Sequence, residues 1–228
     1  MLNKQKGDMY GFVTHTWNVI KGKCFHNCSY CYMKRFPQKD IHFDETEFKT
    51  DLGSGNLIFI GSSNDMWADA IPVSWINRIL AHAEKYSGNT YLFQSKNPKR
   101  FLEYISRLTK QNIILGATIE TNQENEFTGG QSAAARSKSM CMLKNCRKMI
   151  TIEPVMDFDL AELVLLIKEV KPEFVNIGAD SKNHHLPEPS KDKIEMLITE
   201  LKKFTKVNLK PNIRRLLSFQ KISERRLN

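Results

Sequence analysis

Three cysteines lie within eight residues of one another near the start of the chain, in the spacing Cys-x3-Cys-x2-Cys: Cys24, Cys28 and Cys31. The chain has five cysteines in all, and an odd, clustered number is typical of metal binding rather than of disulfide bonds. Three thiolates in one short loop can each bind a different iron of a cubane [4Fe–4S] cluster. The spacing therefore predicts that these three residues are both the metal ligands and the centre of any chemistry.

A three-cysteine cubane leaves its fourth iron without a protein ligand. That iron is open to a small chelating molecule, such as the amino and carboxylate groups of S-adenosylmethionine (SAM). Two alternatives remain at this point. One is a structural zinc site of the Cys3His type, and the other is a chance group of buried thiols. The histidines available to complete a zinc site are His15, His26 and His42.

The elements around this loop alternate between short apolar strands and amphipathic helices. The strands are predicted at 11–16, 57–61, 90–94, 113–119, 148–153 and 173–177, with 207–210 as a candidate seventh. The helices are predicted at 73–86, 98–109, 132–145, 159–170 and 190–204, with N-caps at Ser74, Asn97, Asp157 or Asp159, and Ser190. Such alternation predicts an α/β fold of parallel strands, namely a partial (β/α)6 TIM-like barrel in a single domain, with a flat doubly wound sheet as the alternative.

Ligands of both architectures bind at the carboxyl ends of the strands, so polar residues at those positions are candidate cofactor contacts. A glycine there lets the backbone approach a ligand, a lysine can pair with a carboxylate, and an acid can accept ribose hydroxyls. The candidates at the strand ends are Gly61, Ser62, Ser63, Asp65, Ser95, Lys96, Glu120 and Glu153.

The cysteine motif after the first strand, with an aromatic residue before its last cysteine, resembles the radical SAM superfamily. Further segments sharpen the resemblance: Thr-Trp-Asn at 16–18, Ser-Ser-Asn-Asp at 62–65, Ser-Lys-Asn-Pro at 95–98, Ile-Glu-Pro at 152–154 and Gly-Ala-Asp at 178–180. From about Thr14 to Lys210 the chain is similar to phage and bacterial radical SAM proteins akin to spore photoproduct lyase, the "DNA repair photolyase" group. The lyase has an adjacent serine and aspartate after its second strand, and this sequence departs from that pattern because Asn64 separates Ser63 from Asp65.

The resemblance implies a reduced [4Fe–4S] cluster that cleaves SAM to a 5′-deoxyadenosyl radical, which abstracts hydrogen from a substrate. It implies that Tyr30 contacts the adenine, and that Ser63 or Asn64, together with Asp65 and Lys96, binds SAM. It also implies a one-electron reductant such as flavodoxin or ferredoxin, and makes DNA or another nucleic acid the leading substrate. The alternative function is a non-catalytic nucleic-acid-binding protein that holds zinc or an Fe–S site.

The charge of the chain is concentrated at its C-terminal end. The net charge is +9, and nine basic residues but one acid follow Leu201. This asymmetry predicts DNA or RNA binding through a basic tail at 211–228, after a barrel domain at 1–210.

No segment has the length and apolarity of a membrane span or a signal peptide, so a cytoplasmic protein without a membrane partner is expected. Cys141 and Cys146 are interpreted as helix thiols, with hydrogen donation to a radical as the alternative.

Overall fold

The centre of the protein is an eight-stranded sheet in which seven neighbouring strands run parallel. A computed structural model describes residues 1–7 and 9–218. Its strands are β1 (Asn3–Lys4), β2 (His15–Trp17), β3 (Ile20–Lys21), β4 (His42–Phe43), β5 (Leu57–Ile60), β6 (Thr90–Ser95), β7 (Ile113–Thr118), β8 (Arg147–Ile152), β9 (Phe174–Ile177) and β10 (Lys206–Leu209). The order in the sheet is β1-β2-β5-β6-β7-β8-β9-β10, with β1 antiparallel, while β3 and β4 form a separate hairpin.

Helices connect the parallel strands from β5 onward. They are α1 (Val73–Glu84), α2 (Ile105–Leu108), α3 (Ala133–Met142), α4 (Leu160–Val170), α5 (Lys191–Lys202) and α6 (Arg214–Leu217), with 3-10 turns at Tyr32–Arg35, Glu45–Lys49, Pro98–Tyr104 and Pro211–Ile213. Among the described residues, no helix combines the length and apolarity that crossing a membrane requires. The strand–helix alternation makes this a single α/β domain, and the predicted partial TIM-like barrel is confirmed, with one more parallel strand than the six expected.

Successive strand residues point to opposite faces of the sheet, and the two faces pack differently. One face packs under the helices in a large core that includes Trp17, Phe93 and Leu115. The other face is concave and carries a smaller apolar layer, formed by Tyr10, Val13, Phe59, Leu92, Ile114 and Met149. Tyr10 and Val13, which precede β2, therefore pack in the interior of the barrel. The strand predicted at 11–16 is observed only from His15.

Two further local predictions were wrong. Helix α1 begins at Val73 after Pro72, so Ser74 lies inside its first turn and is not the N-cap. The helix predicted over 98–109 is a 3-10 segment followed by the short helix α2. There, the buried guanidinium of Arg100 donates to the carbonyl oxygens of Ala68, Asp69 and Ile71. The Asp159 and Ser190 caps are confirmed, since each side chain accepts from a backbone N–H in the first helical turn.

The described part of the predicted tail packs against the barrel. Ile213 is buried, and Arg215 pairs with Glu188 in the loop before α5. Asn212 donates to the carbonyl oxygen of Ala179 at 2.8 Å. Residues 219–228 of the predicted tail lie outside the described residues, and the domain boundary at 210 stays a prediction.

Candidate functional site

The cysteines lie in the loop between β3 and β4, beside the carboxyl ends of β2 and β5. Cys28 is buried and its Sγ lies 3.2 Å from Thr128 Oγ1, whereas Cys24 and Cys31 are half-buried. Two backbone hydrogen bonds, both 2.8 Å, tie the loop to the segment after β7: Ser29 N donates to Phe127 O, and Gly129 N donates to His26 O. The three thiols are therefore held in a loop that the barrel rim supports on two sides.

The environment of Cys24 and Cys31 does not stabilise free thiolates. Burial raises the pKa of Cys24 to about 11, with Asp65 and Cys28 adding to the shift. Burial also raises the pKa of Cys31. A nucleophilic cysteine needs an electropositive setting that lowers its pKa. Thiols that are neutral alone become thiolates when a bound metal replaces the proton, so these residues suit ligation rather than nucleophilic attack.

The described side chains of the cysteine loop do not form a site for a single metal ion in this structure. Within residues 1–7 and 9–218, no three His, Cys, Asp or Glu side chains are grouped so as to share one metal ion. A cubane does not require such a grouping, because each thiolate binds a different iron. The histidines proposed for a zinc site have other partners: His15 contacts Thr14, His26 contacts Asp65, and His42 contacts the carbonyl oxygen of Asp40.

Asp65, which follows β5, joins the cysteine loop to the strand ends. Its Oδ2 accepts hydrogen bonds from Ser95 Oγ and Lys96 N, both at 2.9 Å, and lies 2.7 Å from His26 Nε2. Its Oδ1 accepts from Trp67 N. Although burial opposes the shift, His26 and the two backbone donors hold the pKa of Asp65 below its usual range. Asp65 is thus an ionised connector between three segments of the rim.

The turn at 61–64 completes this connection. Asn64 is buried, and its Nδ2 donates to the carbonyl oxygens of Gly22 and Lys23 at 3.0 and 3.3 Å. Ser62 Oγ and Ser63 N both bond to the Asn18 side chain. The residue that separates Ser63 from Asp65 therefore anchors the start of the cysteine loop, while Ser62 and Ser63 stay half-exposed at the rim.

The buried carboxylate of Glu120, which follows β7, lies among two cations and a phenol. Lys96 Nζ is 2.5 Å from Glu120 Oε1 and Arg136 Nη1 is 2.6 Å from Oε2. The Tyr30 hydroxyl donates to Oε1, and Lys96 Nζ lies 5.2 Å from the centre of the Tyr30 ring. Although burial opposes the shift, Lys96 and Arg136 lower the pKa of Glu120 to about 2. Burial and Glu120 raise the pKa of Tyr30, so the phenol stays protonated.

Arg136 was missed by the sequence reasoning. It lies on α3, where its guanidinium is 2% exposed and also donates to the carbonyl oxygens of Thr118 and Gln131. A single arginine in a helix rich in small and polar residues carries no periodic signal, so only the packing of α3 against the strand ends reveals it.

Glu153 lies on the other side of the barrel mouth, after β8. Its Oε1 is 2.6 Å from Lys210 Nζ, which lies 5.3 Å from the centre of the Tyr10 ring. The Tyr10 hydroxyl donates to Gln94 Oε1 at 2.9 Å, and Gln94 Nε2 donates to Thr118 Oγ1 at 3.0 Å. A polar layer thus crosses the concave face between the apolar floor and the charged rim.

The remaining cysteines lie away from this rim. Cys146 comes directly before β8, at the amino end of that strand, and Cys141 lies near the end of α3. The candidate site lies at the carboxyl ends of the same strands. This placement favours the interpretation of both as helix and loop thiols rather than as hydrogen donors.

The fold defined here is similar to that of a solved enzyme. A cysteine-to-alanine mutant of spore photoproduct lyase in complex with dinucleoside spore photoproduct has a TM-score of 0.67, 9% identity, and coverage of 90% of this chain and 78% of that chain. A double mutant of the same lyase, with bound AdoMet and the dinucleoside, has a TM-score of 0.62 at the same identity and coverage. At this identity the likeness establishes the fold alone.

The family is established by sequence. The family model for DUF5131, a protein family of unknown function, matches residues 9–188, and the chain belongs to that family. No curated protein matches the chain.

Proposed function

We propose that this protein is a radical SAM enzyme in which Cys24, Cys28 and Cys31 hold a [4Fe–4S] cluster beside a SAM site on the barrel rim. When bound and reduced, the cluster supplies the electron that cleaves SAM to a 5′-deoxyadenosyl radical able to abstract hydrogen from a substrate. The cysteine spacing, the likeness of the fold to a lyase solved with bound AdoMet, and the contacts at the rim support this proposal.

The observation that carries it is the pair of direct contacts from the cysteine loop to the strand ends. His26, between the first two cysteines, bonds to Asp65 after β5. Tyr30, just before the last cysteine, bonds to Glu120 after β7. Each contact joins the loop to a residue that the sequence placed at a ligand-binding edge. These contacts support one site built from the cysteine loop and the ends of several parallel strands.

Different residues of the rim would bind different parts of SAM. Glu120 stays ionised across the neutral range, and two cations face it, so this part of the rim has a net positive charge. Lys96 is the more exposed of the two cations, which suits it to pair with the carboxylate of SAM. Gly61 has φ +82° and, with Ser62 and Ser63, presents backbone and hydroxyl groups to the amino end of the ligand.

For the substrate, we propose a nucleic acid or a nucleotide. The chain's basic C-terminal end and the likeness of its fold to a lyase solved with a dinucleoside photoproduct support this class. A one-electron reductant such as flavodoxin or ferredoxin would supply the electron. The nucleic-acid part of the proposal is separable from the cleavage of SAM and is tested apart from it.

The test is anaerobic reconstitution with iron and sulfide, reduction, addition of SAM, and chromatography for 5′-deoxyadenosine. We expect product from the wild type but not from Cys28→Ala, whose thiol is a proposed ligand. The matched control is Cys146→Ala, which removes a half-buried cysteine at the opposite end of the strands and should retain both the cluster and the product.

Metal analysis of the same preparations tests the rival function. Stoichiometric zinc without iron or acid-labile sulfide would support a non-catalytic metal-bound nucleic-acid-binding protein instead. Product formation by a Cys24→Ala, Cys28→Ala, Cys31→Ala triple variant would refute the assignment of the cluster ligands.

A further inference from the structure

The loop that carries the cysteines also carries exposed aromatic rings. Among the described residues, three aromatic side chains are large exposed hydrophobic groups: Phe25 (49% exposed), Tyr32 (40%) and Phe36 (48%). All three fall within twelve residues of one another in the chain. The other exposed large hydrophobic residues are aliphatic and scattered over the rest of the fold. Isolated exposed apolar residues are normal, but such a concentration of rings indicates a binding surface.

Positive charge surrounds these rings. Residues 21–39 contain five lysines and arginines and no acid. Lys23, Lys34, Arg35 and Lys39 among them are exposed. The Arg35 guanidinium carbon lies 5.9 Å from the centre of the Tyr32 ring and 5.2 Å from that of Phe36. We call Tyr32, Lys34, Arg35 and Phe36 the aromatic–basic patch.

The patch adjoins the candidate SAM site. Tyr32 directly follows the last cysteine, and its hydroxyl donates to the carbonyl oxygen of Ser62 at 3.1 Å. The 3-10 turn at Tyr32–Arg35 brings residues three apart onto one side, which places Arg35 over the ring. A molecule bound on the patch would therefore lie next to the rim where the chemistry is proposed.

We infer that the aromatic–basic patch binds single-stranded nucleic acid, with unpaired bases stacked on Tyr32 and Phe36 and phosphates paired with Lys34 and Arg35. Proteins that bind single strands combine cations for the phosphates with exposed rings on which bases stack, and the aromatic–basic patch offers both. An acidic electron-donor protein would be attracted by the same charges, so cluster reduction is measured alongside oligonucleotide binding. The inference rests on the proposed function for its substrate class and adds the surface on which that substrate binds. Binding to the patch does not depend on the cleavage of SAM.

The test is fluorescence anisotropy of the full chain with a labelled oligothymidine of about 12 nucleotides, without SAM or reductant. Removing both rings (Tyr32→Ala with Phe36→Ala) should weaken binding about tenfold or more, because each base–ring stack contributes substantially to affinity. Tyr32→Phe and Phe36→Tyr keep the rings and should bind as the wild type does. Leu165→Ala and Met196→Ala remove exposed aliphatic groups from α4 and α5 and serve as matched controls.

The salt dependence gives an independent measurement. Arg35→Gln should reduce the slope of log affinity against log salt by about 0.7, the contribution of one phosphate contact on a single strand. Lys168→Gln removes an exposed cation of α4 and should leave the slope unchanged. All variants keep the C-terminal residues, so any binding by the basic tail is common to every measurement.

Equal affinity of the double-ring variant and the wild type would overturn the inference. It would also be overturned if the patch variants bound the oligonucleotide normally but slowed cluster reduction by flavodoxin, which would assign the patch to an acidic reductant. The two proposals fail separately: an absence of 5′-deoxyadenosine would leave the binding result standing. Weakened binding in Phe36→Ala with normal SAM cleavage would confine the effect to nucleic acid.

Discussion

Replacing Glu120 by glutamine should destabilise the fold strongly at neutral pH and less strongly in acid. The carboxylate is 3% exposed and pairs with Lys96 and with Arg136, which is itself 2% exposed. The amide leaves both cations without a counter-charge, and removing one partner of a buried ion pair costs about 3–5 kcal/mol. We therefore expect the free energy of unfolding to fall by about that amount at pH 7.

The pH dependence follows from the pKa of this carboxyl group. Lys96 and Arg136 hold it at about 2 in the folded protein, against the opposing effect of burial and an ordinary value of 4.5. A depressed pKa stabilises the fold above the unfolded value, and the stabilisation is lost as pH falls toward the folded value. The difference corresponds to about 3 kcal/mol at neutral pH, of which about 2 kcal/mol is lost by about pH 3.

Urea denaturation followed by circular dichroism at about pH 7 and about pH 3 measures both effects. Because other carboxylates also titrate, the quantity to compare is the difference between the wild type and Glu120→Gln at each pH. Glu173→Gln is the matched control, since the Arg147–Glu173 pair is exposed and should contribute less than about 1 kcal/mol. An unfolding difference for Glu120→Gln that is below about 1 kcal/mol, or equal at both pH values, would refute the reasoning.

Three substitutions test other parts of the site. Asn64→Ala removes the side-chain donor that bonds two carbonyl oxygens of the cysteine loop. It should lower the iron content after reconstitution, and it should lower the free energy of unfolding by about 1–3 kcal/mol. Gly22→Ala should reduce iron incorporation, because φ is +93° and a Cβ would lie 2.3 Å from a backbone oxygen; Gly11→Ala, where a Cβ meets open space, is the control. Lys210→Met should destabilise the barrel by about 1.5–3 kcal/mol in urea unfolding at neutral pH, because the half-buried Glu153 loses its charge-assisted contact with Lys210 Nζ at 2.6 Å; an unchanged midpoint would contradict this.

Local patterns in the chain carried the prediction of the fold. Apolar runs of strand length alternate with amphipathic helical segments, and this order alone implies parallel strands with their carboxyl ends at one edge. The strands β5 to β9 are observed within a residue or so of their predicted bounds. The candidate strand at 207–210 is observed as β10 at Lys206–Leu209, where Lys206 and Asn208 interrupt the apolar pattern. Asn208 faces the polar layer, where its Nδ2 donates to Asn176 at 3.1 Å.

The cysteine spacing and the polar residues after each strand were likewise visible in the sequence, because they depend on short stretches of chain. The contacts that join these stretches were not visible in the sequence. The Tyr30–Glu120 and Lys210–Glu153 contacts link residues 90 and 57 positions apart. Arg136 lies on a helix whose pattern does not distinguish a buried arginine from an exposed one. Pairing across such distances is decided by the crossing of the strands and helices, so only the tertiary structure could reveal which charges meet at the rim.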